Sequence, residues 1–303
     1  MVPGAPILTG RAALRVGAGR IRLAVGRAGA VALGLSVPEA GIIRVVSTHD
    51  GDFLASAAWT LARAAADCDA SVIGPGMSDA RVAGILTRAL LQATAAGAVV
   101  DAAALPAVRS AEAFARLGRG RTVLTPHAGE MAEMMDAPKA EVLANPPAFA
   151  REAAARFQSV VVLKGAISHV ATPDGRCWQH EGGVFGLATS GSGDVLAGVI
   201  AGLMARGAAP ERAAIWGVHL HAGAGAQRDG AQRPRHHDLL AHRQVSDEGG
   251  ADPRAAVAQL GRLVLLGRGG QPRQGAAQYA GRGCAHALQR MPPRGASGLS
   301  ESR

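Results

Sequence analysis

Short apolar runs alternate along the chain with longer Ala-rich stretches whose apolar positions recur at helical spacing. The spacing predicts strands over Ile42–Ser47, Ser71–Ile73, Ala98–Val100, Thr122–Leu124 and Val160–Leu163. Between them it predicts helices over Phe53–Ala66, Ala80–Ala95, Ala111–Leu117, Glu130–Asp136 and Pro146–Phe157. Strands alternating with helices imply an α/β fold, a mostly parallel central sheet flanked by helices on both faces. Asn145-Pro146 reads as an N-cap and first-turn proline. Residues 168–179 alternate around Pro173-Asp174-Gly175, a hairpin signal that makes one sheet edge antiparallel. Gly193-Asp194 opens an apolar, small-residue helix suited to a buried position. After about Gly225 no period of 2 or 3.6 is sustained, apart from Pro253–Leu266, which reads as one helix.

Composition adjusts this picture in a few places. At 48% hydrophobic and 18% charged residues, the 303-residue chain can bury a sizeable core. No apolar, charge-free run reaches the ~18 residues of a membrane span, and Arg11 interrupts any secretory leader, so a cytoplasmic protein is expected. Cys68, Cys177 and Cys284 have neither disulfide-framework nor zinc spacing. The net charge of +9 invites a nucleic-acid reading, but only Lys139 and Lys164 are lysines and aromatics are 3%. Residues 226–303 hold 12 Arg against 6 Asp plus Glu, leaving +3 for residues 1–225. Biased composition accounts for the arginine excess at least as well as a polyanion partner does.

Four segments at strand-to-helix junctions carry candidate chemistry. Gly186–Gly198 (GLATSGSGDVLAG) brings backbone N–H groups together at a helix N-terminus, where the unpaired donors and the helix dipole favour an anion such as a transferring phosphoryl group. Asp194 in that first turn is expected to stay ionised in the positive field of the helix end and to act as a general base; a plain capping Asp is the alternative. Gly74-Pro75-Gly76 is a rigid turn permitting close backbone approach, and Thr125–Glu130 (TPHAGE) sets His127 in a tight loop at a strand end. Lys164 ends an apolar strand and suits a phosphate as a point charge, or simply snorkels at an edge. No Walker-type phosphate loop occurs.

Together with Pro3-Gly4-Ala5-Pro6 and Leu163-Lys164-Gly165-Ala166, these segments closely resemble the ADP- or ATP-dependent NAD(P)H-hydrate dehydratases, over about Val2–Gly225. The resemblance implies a ribokinase-like fold. It also implies a lyase that restores NADH and NADPH from the S-epimer of their hydrates, NADHX and NADPHX. In that scheme the ring hydroxyl is phosphorylated at the expense of ADP, or ATP, and phosphate is then eliminated. On this match Asp194 deprotonates the hydroxyl, Ser190, Gly191, Ser192 and Gly193 form an anion hole, and Ala5, Gly76, His127 and Asp194 contact the hydrated dinucleotide. Lys164, Gly165, Ala166, Ile167, Ser168 and Gly193 line the adenine-nucleotide site. Mg²⁺ is expected with the nucleotide, without a dedicated protein cage. Pairing with an NAD(P)HX epimerase and a homotetramer are further implications.

Relative to the family pattern the chain starts almost inside the Pro-Gly-Ala motif and leaves the pattern after His219–Gly225. The expectation is an incomplete catalytic domain over residues 1–225 that lacks one central strand through a start codon placed too late. A tail over 226–303 would then be disordered or out of frame. The competing enzyme reading is a ribokinase-like kinase for a vitamin precursor; a competing non-enzymatic reading is nucleic-acid binding through the Arg-rich tail.

Overall fold

The computed structural model describes residues 4–109, 111–182, 185–231 and 263–267, which fall in the unit Met1–Arg268. In chain order the elements are α1 (Ala5–Arg15), β1 (Arg20–Gly26), α2 (Ala30–Ser36), β2 (Ala40–Val45), α3 (Ala58–Ala65), β3 (Ala70–Ile73), α4 (Ala80–Ala93), β4 (Gly97–Val100), α5 (Ala111–Gly118) and β5 (Thr122–Leu124). There follow α6 (Ala128–Met135), α7 (Lys139–Ala144), α8 (Pro146–Phe157), β6 (Val160–Leu163), β7 (Ser168–Ala171), β8 (Cys177–His180), α9 (Ser192–Ala205), α10 (Pro210–Ala231) and β9 (Leu263–Gly267). One nine-stranded sheet runs in the order β2-β1-β9-β3-β4-β5-β6-β7-β8. The pairs β1–β2 and β3 through β6 are parallel, while β7 and β8 form the expected antiparallel hairpin at one edge.

The central strands read as unbroken apolar runs because both their faces are covered. Val72, Val99, Val123, Val160 and Val162 point to a core shared with α1, α2, α9 and α10. Ile73, Val100, Leu124, Val161 and Leu163 point the other way, to a core shared with α3 through α8. Among the described residues no helix is long and apolar enough to cross a membrane.

Two expectations for the end of the chain need correction. The composition break at Gly225 falls inside α10, which continues to Ala231. The end of the expected helix, Leu263 to Leu266, belongs instead to the strand Leu263–Gly267, antiparallel to both β1 and β3. A short apolar run bounded by Gly is the pattern that periodicity cannot assign to helix or strand, and sheet pairing decides it. The described residues thus form a sheet with a strand at its centre where a gap was expected. Pro253–Arg262 and most of the remaining tail lie outside the described residues.

Helix α9 lies close against α1 because its small residues permit it. A Cβ added at Gly198 would stand 2.2 Å from the Thr9 carbonyl oxygen, and one at Gly202 2.9 Å from that of Ala13. The glycines are four apart and therefore face the same way. Gly198→Ala is expected to cost about 3 kcal/mol, read as a Tm drop of roughly 6–12 °C, because backbone rather than a flexible side chain must move.

Candidate active site

The sheet's carboxyl ends, the usual ligand side of an open α/β sheet, gather the candidate residues. After β3, Gly74 (φ 113°) and Gly76 (φ 75°) take left-handed backbone that favours glycine. Gly74 uses it to let β3 approach the residue after β4, where Asp101 donates its backbone N–H to the Ile73 carbonyl at 3.1 Å. The close approach expected of this turn is thus made, at Gly74, to the protein's own backbone. Directly after Asp101, Ala102 adopts a left-handed φ of 47°, a strained turn for a residue with a Cβ.

After β5, His127 is the N-cap of α6. Its Nδ1 accepts the backbone N–H groups of Gly129 and Glu130 at 3.0 and 3.1 Å, while the Glu130 carboxylate accepts the His127 backbone N–H at 2.7 Å. Nε2 of the largely exposed ring lies 3.6 Å from Glu130 Oε1 and accepts no backbone N–H. Lys164 at the end of β6 donates its backbone N–H to the Pro126 carbonyl at 2.8 Å, locking the two loops together. Its ammonium is not the free point charge anticipated. Nζ lies 2.9 Å from Asp101 Oδ1 and 3.8 Å from Glu130 Oε2. Burial draws the ammonium's pKa down, but Asp101, Glu130 and Asp194 together outweigh this and hold it above the ordinary lysine value.

Ahead of α9, Gly191 takes φ 86°, and the Leu8 side chain of α1 lies where a Cβ would go. The amino-terminal segment thereby supports the turn that aims the α9 N–H groups. A Cβ on Gly193 would be 3.4 Å from Lys164 Nζ and 3.9 Å from Asp101 Oδ2, so the helix N-terminus faces the ion pair directly. Ser192 shares a 3.1 Å hydrogen bond with Nε2 of His221 on α10. Burial, followed by a smaller effect of Lys164, lowers the His221 pKa against the opposing pull of Ser192 and favours the neutral imidazole.

Asp194 departs from the sequence-based expectation in degree. Burial, reinforced by the nearby negative charge of Asp101, outweighs Lys164 and pushes its carboxyl up to about 6. At pH 7 it is still mostly ionised, as expected, but burial brings it much closer to protonation than the helix field alone would. A carboxyl poised near neutrality is nonetheless the better general base, since it binds a proton more readily when one is delivered.

The structure brings Lys164, Gly193 and Asp194 into one cluster with Ser192 beside them. Gly165, Ala166 and Ile167 form an exposed turn after Lys164, and Ser168 starts β7. Ala5 is fully buried in the first turn of α1. Asp101, Glu130 and His221 were not singled out from sequence. Asp101 stands alone after an apolar strand, and its one available signal was a carboxylate at a strand's carboxyl end. Among the described residues no three His, Cys, Asp or Glu side chains converge as the ligands of a metal ion would.

Comparison with known proteins identifies relatives of the chain. The sequence model of the family described as NAD(P)H-hydrate dehydratase matches residues 1–242. An ADP-dependent (S)-NAD(P)H-hydrate dehydratase from Xanthomonas campestris is 46% identical over 227 residues, 75% of this chain and 76% of its own. The crystal structure of an ADP/ATP-dependent NAD(P)H-hydrate dehydratase from Bacillus subtilis, co-crystallised with ATP/Mg²⁺ and soaked with CoA, superposes with a TM-score of 0.61. It is 28% identical, and the match covers 78% of this chain and 81% of that one. A ribokinase-like superfamily protein from Enterococcus faecalis, 21% identical with a TM-score of 0.60 over 84% of this chain and 79% of its own, shares the fold, which is therefore ribokinase-like. Since the family match takes in every strand-end segment that builds the cluster, the chain belongs to the NAD(P)H-hydrate dehydratase family.

Proposed function

We propose that this chain restores NADH and NADPH from their S-hydrates, coupled to cleavage of ADP. The observation that carries the reading is the meeting of Asp194, the Lys164 ammonium and the α9 N-terminus at one point, within a family of this activity. Asp194 takes the proton of the ring hydroxyl as that oxygen attacks the β-phosphoryl group of ADP, and AMP leaves. The backbone N–H groups of Ser190–Gly193 and the ammonium of Lys164 stabilise the charge on the moving phosphoryl group. The ring carbon–oxygen bond then breaks, phosphate departs with the electron pair, and loss of a proton from the neighbouring ring carbon forms the double bond. Mg²⁺ would arrive on the nucleotide's phosphates, and none of these steps is assigned to it. Gly76 and the largely exposed ring of His127 are proposed to hold the hydrated dinucleotide, with Ala5, fully buried in the first turn of α1, behind that surface and not on it. Lys164–Ser168 with Gly193 are proposed to hold the adenine nucleotide.

Incubation with hydrated NADH and ADP should restore the absorbance of reduced nicotinamide with one phosphate released per NADH formed. No recovery with either ADP or ATP would exclude the reading. Phosphate transfer to a small vitamin-like alcohol without NADH recovery would instead identify a kinase.

A further inference from the structure

We infer that Asp101 is a positioning residue of this site, holding the Lys164 ammonium against the N-terminus of α9 so that it faces the phosphoryl group being transferred. The inference rests on the reading above for what is transferred, but the arrangement itself does not depend on it. Asp101 is 2% exposed, a degree of burial that carboxylates rarely reach without a partner. Its partner is Lys164, 63 residues further along the chain, at 2.9 Å. The backbone around it is fixed from two sides, by the close approach at Gly74 and by the left-handed Ala102.

Released from Asp101, a long lysine side chain would sample several rotamers, and its nearest remaining carboxylate is Glu130 at 3.8 Å. Such a shift would carry the ammonium toward α6 and away from Gly193. Of the three carboxylates that act on the lysine, Asp101 is the one in direct contact with it, and that contact sets the ammonium beside the helix N-terminus. The charged groups that bear on Lys164 are Asp101 after β4, Glu130 on α6, Asp194 on α9 and, through its imidazole, His221 on α10. Asp101 acts on Asp194 as well, by its negative charge.

The chain contains two lysines, Lys139 and Lys164, so ¹³Cε-lysine labelling gives two side-chain resonances to follow by NMR. In Asp101→Asn the Lys164 titration should fall by about one pH unit or more, with Lys139 unmoved as internal control. In the coupled assay the same substitution should lower kcat about tenfold or more while the KM for the hydrate changes less than about threefold. In a Lys164→Met background it should have little further effect, the mark of a residue acting through another. If Asp101→Asn leaves too little folded protein, the double variant removes both buried charges and restores a foldable core, and its rate is compared with that of Lys164→Met alone. An unshifted Lys164 titration in folded Asp101→Asn would overturn the inference. So would Asp101 and Lys164 substitutions whose effects on kcat simply multiply. Absence of NADH recovery by the parent chain would defeat the dehydratase reading, whereas the lysine titration would still decide the role of Asp101.

Discussion

Asp194→Asn is expected to reduce NADH recovery by about 10³-fold or more while making the protein more stable at pH 7. The loss follows from removing the group that accepts the hydroxyl proton, since general bases contribute about 10² to 10⁴ in rate. The gain in stability follows from the raised carboxyl. Its folded-state value of about 6 lies above the ordinary 3.8, so the native state holds this proton more tightly than the unfolded chain does. Stability from the protonated form is present below about pH 4 and is lost as pH rises through about 6. Above that, the ionised carboxylate costs about 1–2 kcal/mol once solvent screening is allowed for. Thermal unfolding should therefore show Asp194→Asn above the parent at pH 7.5, with the difference vanishing near pH 4. The parent's kcat should rise with pH along a limb centred near 6. A variant retaining a tenth or more of parental turnover would remove Asp194 from the role of base, and a Tm below the parent's at pH 7.5 would contradict the burial argument.

Gly74→Ala is expected to be the most damaging single methyl group in the site. A Cβ there would stand 1.7 Å from the Asp101 carbonyl oxygen, and φ of 113° is unfavourable to any side chain. Both partners are backbone at the ends of adjacent central strands, so neither can yield by a rotamer change. A cost of about 4 kcal/mol or more is a large share of a typical ~5–15 kcal/mol total. The expected result is a Tm drop of at least about 8 °C, and turnover lost even in the folded fraction because Asp101 is displaced from Lys164. Gly120→Ala is the matched control. Its φ of 72° is also left-handed but nothing lies within 4 Å of the added methyl, so only about 1 kcal/mol of backbone strain is expected. Equal losses at the two glycines would show that strain, and not the approach to Asp101, governs position 74.

The parallel half of the sheet was legible in the sequence because its strands are short, apolar on both faces and separated by helices of clear period. Thr122–Leu124 and Val160–Leu163 have the expected bounds, and the hairpin around Pro173-Asp174-Gly175 forms as its turn residues dictate. Strand β1 was missed because Arg20 and Arg22 give it charged positions at its start and Ala24 and Gly26 weaken its end. Strand β9 was misassigned because pairing on both edges, which local sequence does not display, is what makes Leu263–Gly267 a strand. The same division holds in the site. The α9 loop and Asp194 announce themselves by glycine spacing, whereas Asp101 and His221 acquire partners only when distant elements meet. Protonation is less legible still, because the helix field on Asp194 is local and visible whereas its burial is not.

The position of β9 has a bearing on how such a chain reaches its fold during synthesis. Arg20 pairs with Gly267, and Ala70 with Leu266, so neither β1 nor β3 has its inner neighbour until about 250 and 200 residues later in translation. Until then the nascent chain carries two part-sheets, β2-β1 and β3 through β8, each with an open apolar edge. Loop closure across that distance is an entropic cost met late. The ribosome must therefore deliver residue 267 before β9 can join the two halves.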